Sequence, residues 1–354
     1  MTSYERMMTA LAVREPDRVP IMECVIHRAV LRRACPGAET QNDFEERMDF
    51  DAVSCPARFD KVRQNADGTY FDEWGVLYGT STEAADHPMR GPIASKDDLL
   101  RYVPPDPEAP HRLGNLTDLV ARHKGKKAIV FHQRAAFMWS AYLNGIDNLL
   151  LNFLAEPDFV HELMDMVLGV MLRIARRAVR AGADIILLGD DYAGNKGPMF
   201  SPVAFRTFVL PRLKKMVDTV HEEGGKVIKH SDGKLWLLLD DMVAAGIDGL
   251  NPIEPVAGMD LGEVKRKYGS RVCLIGNVDC GRLLPHGTVE EVEAAVRECI
   301  RQGAPGGGYI LSSSNSIHSG VNPDNYLEMI AAGRKYGVYP LLNRNSPCTA
   351  GPRS

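Results

Sequence analysis

Seven short apolar runs in this 354-residue chain end on residues that can hold a metal ion or move a proton. RVPIMEC (18–24) ends at Glu23, with His27 a turn later. KAIVFHQ (127–133) ends in His132-Gln133, and DIILLGD (184–190) leads into Asp190-Asp191-Tyr192. KVIKH (226–230) opens onto His230-Ser231-Asp232-Gly233, and IDGLN (247–251) onto Asn251 and then Glu254. VCLIGN (272–277) reaches Asn277-Val278-Asp279-Cys280, and YILSS (309–313) reaches Ser312-Ser313-Ser314-Asn315, followed by His318. Zinc takes Cys, His and carboxylate ligands and keeps one position open when it is catalytic. Two ligand sets are available: Glu254, Cys280 and His318, or His230 and Asp232 with a partner from one of the last two runs. The plainer alternative makes His230 and Asp232 a hydrogen-bonded pair that fixes a loop, and Cys280 an inert thiol.

The elements that would bring these residues together are legible in the spacing. Helical stretches end in Gly-containing turns, RAGAD (180–184), EEGGK (222–226), AAGID (244–248), KYGSR (267–271) and QGAPGGG (302–308), and each precedes an apolar run. Glycine just past a helix supplies the left-handed backbone that closes it. Near-continuous apolar runs suit parallel strands buried on both faces. FDAVSC (50–55) adds a strand to the seven above and makes eight. Between them, residues 157–181 read as a long amphipathic helix with Val160, Leu163, Met164, Val167, Met171 and Ile174 on one face, and Ser201-Pro202 starts another. Eight strands with helical crossovers predict a single (β/α)8 TIM barrel, in preference to an open doubly wound sheet. In a barrel of this kind the C-terminal strand ends share one mouth. Residues 56–126 are too long for a crossover and contain GTYFDEWGVLYG (68–79), which alternates like a hairpin, so a lid or excursion is expected there. The barrel is expected over 1–344, with a frayed tail over 345–354.

Composition narrows the partners. Hydrophobic residues are 45% and charged residues 25%, the balance of an ordinary globular protein. The net charge of -4 comes without a basic stripe, so no nucleic acid is expected. The seven cysteines are odd in number and include no CxxC pair, which suits free thiols in a reducing, cytoplasmic setting. The N-terminal residues carry charges every few positions, and no run approaches 18 apolar residues, so neither a signal peptide nor a membrane span is expected. GAPGGGY precedes a strand rather than joining strand to helix, GxSxG is absent, and KHSDGK is not a phosphate loop.

Four segments carry a resemblance: ERMMTALAVREPDRVPI, GDDYAGNKGPMFSPVAFRTFVLPRLKKMV, IGNVDCGRLLPHGTVEEVEAAVRECI and GYILSSSNSIHSGVNPDNYLEMIAAGRKYG. In this order they resemble the uroporphyrinogen decarboxylase superfamily over nearly the whole chain, with 56–126 least matched. The resemblance implies a TIM barrel. It also implies one of two chemistries. True uroporphyrinogen decarboxylases use no cofactor and carry an R-Q-A-G-R-Y type motif after the first strand; here PIMECVIHRAVLRR stands there, with Arg28, Arg32 and Arg33 wrongly spaced. The acidic residue that binds the pyrroles in those enzymes corresponds at best to Asp51. A substrate with many carboxylates and no arginine clamp is physically improbable. The other class comprises corrinoid-dependent methyltransferases, which usually read H-x-C-G at the fifth strand, with a second Cys in the last loop, to hold zinc. The matching positions here are His230, Asp232 and Asn315, so both sulfur ligands are replaced.

Oxygen and imidazole ligands would leave zinc a harder Lewis acid than two thiolates do, suited to polarising an ether oxygen. The resemblance therefore implies a methyltransferase that passes methyl from a small methylated substrate, first an aryl methyl ether, to a corrinoid on a partner protein docked over the mouth. In that scheme His230, Asp232 and Asp190 are the acid–base candidates. Trp139 and Tyr192 would form an aromatic wall. Glu23, His132, Asp191, Asn251, Asn277, Ser312 and Asn315 would line the substrate, and Glu254, Cys280, His318 and His230 would hold the metal. Family members often form homodimers. Two other readings stand beside it: metal-free decarboxylation of a non-porphyrin acid using Asp190, and a non-catalytic binding barrel.

Overall fold

The structure is a computed structural model that describes residues 1–83 and 86–341. The expected tail at 345–354, the expected barrel limit at 344 and Cys348 lie outside the described residues. Seven parallel strands follow one another around the sheet in chain order: β1 (Ala52–Pro56), β2 (Ala128–Gln133), β3 (Ile185–Gly189), β4 (Lys226–His230), β5 (Gly249–Asn251), β6 (Cys273–Val278) and β7 (Tyr309–Ser313). Neighbouring pairs are all parallel, with helical crossovers between them.

The segment at 18–24, read as a full strand, is instead a seam. Met22 N–H donates to Leu311 O (3.2 Å) and Leu311 N–H to Pro20 O (2.9 Å) on one side, while Asp51 N–H donates to Ile21 O (3.0 Å) on the other. It therefore fills the eighth position between β7 and β1 and closes the (β/α)8 barrel. Pro20 has no N–H to give, which limits the ladder to isolated bridges. Asp51 reinforces the seam from the N-terminal end of β1. Its fully buried carboxylate accepts from Ile21 N–H (2.8 Å), from Arg6 (2.5 Å) and from Arg18 (2.9 Å). Two guanidiniums compensate one buried charge, so Asp51 is a structural anchor at the end opposite the mouth.

The strands read as continuous apolar runs because their alternating sides feed two cores. One side, with Ala52, Val130, Leu187, Ile228, Ile275 and Ile310, packs inside the barrel together with Met7 and Leu11 of the N-terminal helix Ser3–Leu11. The plug is tight: a Cβ at Gly249 would come within 2.9 Å of Ile275 and 3.3 Å of Leu11. The other side packs against the helices, among them Pro157–Arg180, whose buried positions include Val160, Leu163, Met164, Val167, Met171 and Ile174.

Between β1 and β2 the chain makes a four-stranded antiparallel meander, Lys61–Gln64, Tyr70–Asp72, Leu77–Gly79 and His87–Arg90. Tyr70 pairs with Tyr78, and their rings stack at 5.3 Å. Asp72 accepts the Val76 N–H (2.9 Å) across the tight turn between the central strands, and that turn drives Trp74 into the protein, where it is fully buried. No described helix is long and apolar enough to cross a membrane.

Candidate active site

A cavity of about 380 Å³ opens at the C-terminal ends of β1 to β4 and is closed on one side by the last loop. His230, the final residue of β4, stands on its floor. His230 Nδ1 lies 2.5 Å from Asn251 Oδ1. That oxygen also accepts from the Cys24 thiol (3.3 Å), while Asn251 Nδ2 donates to Ile275 O (3.4 Å), so the amide presents an acceptor to the ring. Nδ1 therefore carries a proton, and Nε2 faces two carboxylates, 3.5 Å from Asp232 and 4.0 Å from Asp191.

Three acceptors facing one another is an unstable arrangement unless a cation or a proton lies between them. Asp191, His230 and Asp232 are the one group of three such side chains among the described residues whose ligand atoms gather within 4.8 Å. Asp232 Oδ2 accepts from Asn315 Nδ2 (2.6 Å), whereas Oδ1 is buried without a hydrogen-bond partner. Burial pushes the Asp232 carboxyl up to about 6 against the pull of His230, with Asp191 and Glu254 adding to the rise. A carboxylate oxygen without a hydrogen-bond partner beside an imidazole Nε2 fits a divalent ion of the zinc type, which the resemblance implies.

The other walls are aromatic and polar. Trp139, in the helix Ala136–Asn144, stacks on Trp74 at 4.8 Å and meets Phe59 edge-on at 5.2 Å. Both Phe59 and Trp74 come from the excursion after β1. His132, at the end of β2, lines the cavity with a buried and unpaired Nε2; burial first, then the nearby His230, pulls it down to about 4, so it is neutral near pH 7.

Of the residues singled out from the sequence, His132, Trp139, Asp191, His230, Asp232 and Asn315 line this cavity. Asn251 acts behind His230. The set Glu254, Cys280 and His318 does not meet His230 as a ligand group. His318 uses both ring nitrogens on backbone, Nδ1 accepting from Gly320 N–H (3.1 Å) and Nε2 donating to Cys280 O (2.9 Å). The Cys280 sulfur accepts from Ser314 Oγ (3.4 Å), and burial pushes the thiol up to about 12. Glu254 accepts the Gly233 N–H (2.7 Å) and so shapes the turn that carries Asp232.

Asp190 also departs from its expected part. Its carboxylate is wholly buried and accepts from the N–H groups of Ala135 (3.1 Å), Phe137 (3.0 Å) and Met138 (3.2 Å), at the start of the helix that carries Trp139. Tyr192 lies in the helix-side core, its ring 5.4 Å from Phe205 and covered by the Lys229 ammonium at 4.1 Å, so it is no wall of the cavity. Glu23 accepts from Ser312 Oγ and Ser313 Oγ (2.9 Å each) and ties the seam to β7. Asn277 donates to Ile253 O (2.9 Å) beneath the mouth. Two residues were missed. Arg134 directly follows the His132-Gln133 pair, and Phe59 lies in the stretch whose topology the sequence left open.

Comparison with known proteins follows this geometry. The family model for uroporphyrinogen decarboxylase (URO-D) matches residues 81–336, most of the chain. The chain belongs to the URO-D family. Among curated relatives, a uroporphyrinogen decarboxylase of Thioalkalivibrio sulfidiphilus is 27% identical over 52% of this chain and 50% of its own length. The methylcobamide:CoM methyltransferase MtaA of Methanosarcina barkeri is 29% identical over 51% of this chain and 50% of its own. The chain thus spans about half the length of these relatives. A methyltransferase structure from Methanosarcina mazei superposes with a TM-score of 0.74 at 21% identity, covering 95% of this chain and 99% of that one. That likeness gives this URO-D family member the same barrel.

Proposed function

We propose that this URO-D family member is a corrinoid-dependent methyltransferase. It would take methyl from a small substrate, an aryl methyl ether in the first instance, and deliver it to the cobalt of a corrinoid protein docked at the mouth. The observation that carries the reading is the Asp191–His230–Asp232 group beneath an aromatic wall: a three-ligand site facing a cavity sized for a small ring. The relative named as a methylcobamide methyltransferase supports the class.

Asp191, His230 and Asp232 would hold zinc. When bound, zinc supplies a Lewis acid for an ether oxygen. Asn251 keeps the His230 proton on Nδ1, so that Nε2 stays free to bind. Asn315 fixes the Asp232 carboxylate by one oxygen and leaves the other beside His230 Nε2. Trp139 and Phe59 orient an aromatic ring and exclude water from the departing oxygen.

The names of many relatives favour decarboxylation. Against it, the cavity lining offers a single arginine and no lysine to a substrate of many carboxylates, and Asp190 is committed to backbone donors. The test is metal content after purification without chelator, together with incubation against a Co(I) corrinoid protein and a panel of methoxylated aromatics. About one zinc per chain and a methylated corrinoid spectrum are expected. An unchanged spectrum across ethers, methylamines and methyl thiols would sink the reading.

A further inference from the structure

Arg134 lines the cavity as its one permanent cation. A guanidinium offers five N–H donors and does not deprotonate. Here only Nη1 has a partner, Gly189 O at a long 3.4 Å, and no carboxylate lies within 4.0 Å among the described residues. The plane is supported from behind by Tyr142, whose ring centre is 4.9 Å away. A half-buried guanidinium stacked on one face and unpaired toward a cavity is arranged for an anion it does not yet hold.

A second observation comes from another element. Trp139 is 6% exposed and lines the same cavity. Its indole stacks on Trp74 and meets Phe59 edge-on, and the aromatic lining that Trp139 and Phe59 give the cavity favours a flat apolar body over an aliphatic chain.

We infer that the cavity selects a small aromatic monocarboxylate, with its carboxylate on Arg134 and its ring against Trp139 and Phe59. This rests on the methyl-transfer reading only in naming the substituent turned toward His230, a methoxy group. Arg134 is then the specificity residue: it distinguishes an acid from its neutral isostere. It also sets the orientation of the ring by holding its carboxylate.

The test compares 4-methoxybenzoate, 4-methoxybenzamide and methoxyacetate by isothermal titration calorimetry, on the wild-type chain and on Arg134→Met and Arg134→Lys. The acid is expected to bind at least about 10-fold tighter than the amide, as for a hydrogen bond to a charged group. Arg134→Met should cost the acid about 10–100-fold and the amide less than about 3-fold, with Arg134→Lys intermediate because the charge survives and the fork does not. Equal binding of acid and amide by the wild type overturns the inference, whatever the variants do. So does an equal loss of both ligands in Arg134→Met, or methoxyacetate binding as well as the aromatic acid. Parallel turnover with the Co(I) corrinoid protein separates the two readings. Arg134-dependent binding without methylation would remove the methyl-transfer reading and leave this one. Methylation from neutral ethers, indifferent to Arg134→Met, would do the reverse.

Discussion

Asp190→Asn tests whether the most deeply buried acid of the strand-end ring does chemistry or architecture. One oxygen of Asp190 accepts from Ala135 and Met138 N–H and the other from Phe137 N–H. In asparagine one of these oxygens becomes a donor and must face a backbone N–H. Losing a hydrogen bond to a charged acceptor and burying an unpaired donor costs about 1–3 kcal/mol. Lys229, also wholly buried and already pulled down to about 8 by burial, loses the nearest carboxylate that holds its charge. Further loss of that proton limits the second cost, so about 2–4 kcal/mol in total is expected. The assay is urea unfolding at pH 7, read as a lower midpoint with unchanged slope. Trp139 emission should shift to the red before global unfolding, because the loosened turn is the one that seats its helix. An Asp190→Asn protein as stable as wild type, with turnover abolished, would refute the structural assignment and return Asp190 to the reaction.

Asp191→Ala and His230→Ala should each lower bound zinc to well under half an equivalent, measured by plasma emission spectrometry; full occupancy in both would dismiss the ligand set. Asn251→Leu leaves the three ligands intact but removes the acceptor on His230 Nδ1, so zinc affinity in a competition titration should fall about 10–100-fold. Stability should depend on pH through Glu23 and Glu45, both buried and both pushed up to about 7 from the usual 4.5. Because the folded values are the higher ones, folding takes up protons between those limits. The contribution is complete below pH 4.5 and is lost as pH rises through 7, on the order of 3 kcal/mol for each group. Urea unfolding should therefore give a lower free energy at pH 8.5 than at pH 5.5. A flat profile between these limits would contradict it.

The fold was legible because two periodicities agreed. Glycine turns marked the helix ends, and apolar runs marked strands that feed a core on each side. The one strand misread, 18–24, has a proline at the position that should donate to the ladder. The mouth residues followed from topology, since β2, β3 and β4 must end on the same rim; His132, Asp191, His230 and Asp232 do so. Which polar residues face the cavity was not legible, because that depends on where each finds its partners. Asp190 and Asp191 are adjacent, yet one is held by three backbone donors under a helix and the other is turned into the site. Cys280 and His318 do lie near each other, but the contact runs through the Cys280 carbonyl rather than its sulfur. Phe59 and Trp74 carried no periodic signal; a tight turn at Gly75 (φ 71°) and the meander's register bring them in.

The exchange of thiols for oxygen ligands bears on whether the barrel is still a catalyst. The resemblance to corrinoid-dependent methyltransferases implies zinc-holding cysteines at the positions where this chain has Asp232 and Asn315. To serve one site, the two residues at these positions need to be complementary. Here they are: Asn315 Nδ2 donates to Asp232 Oδ2 at 2.6 Å, across 83 residues of sequence. One replacement offers a carboxylate to the cavity, and the other fixes its angle and satisfies its second oxygen. Asn251 does the same for the surviving His230. An orienting amide stands behind two of the three candidate ligands, His230 and Asp232, which is support a metal site uses. A binding barrel that had abandoned the metal would gain nothing from an unpaired Asp232 oxygen in its floor, and would be more stable with an apolar residue there.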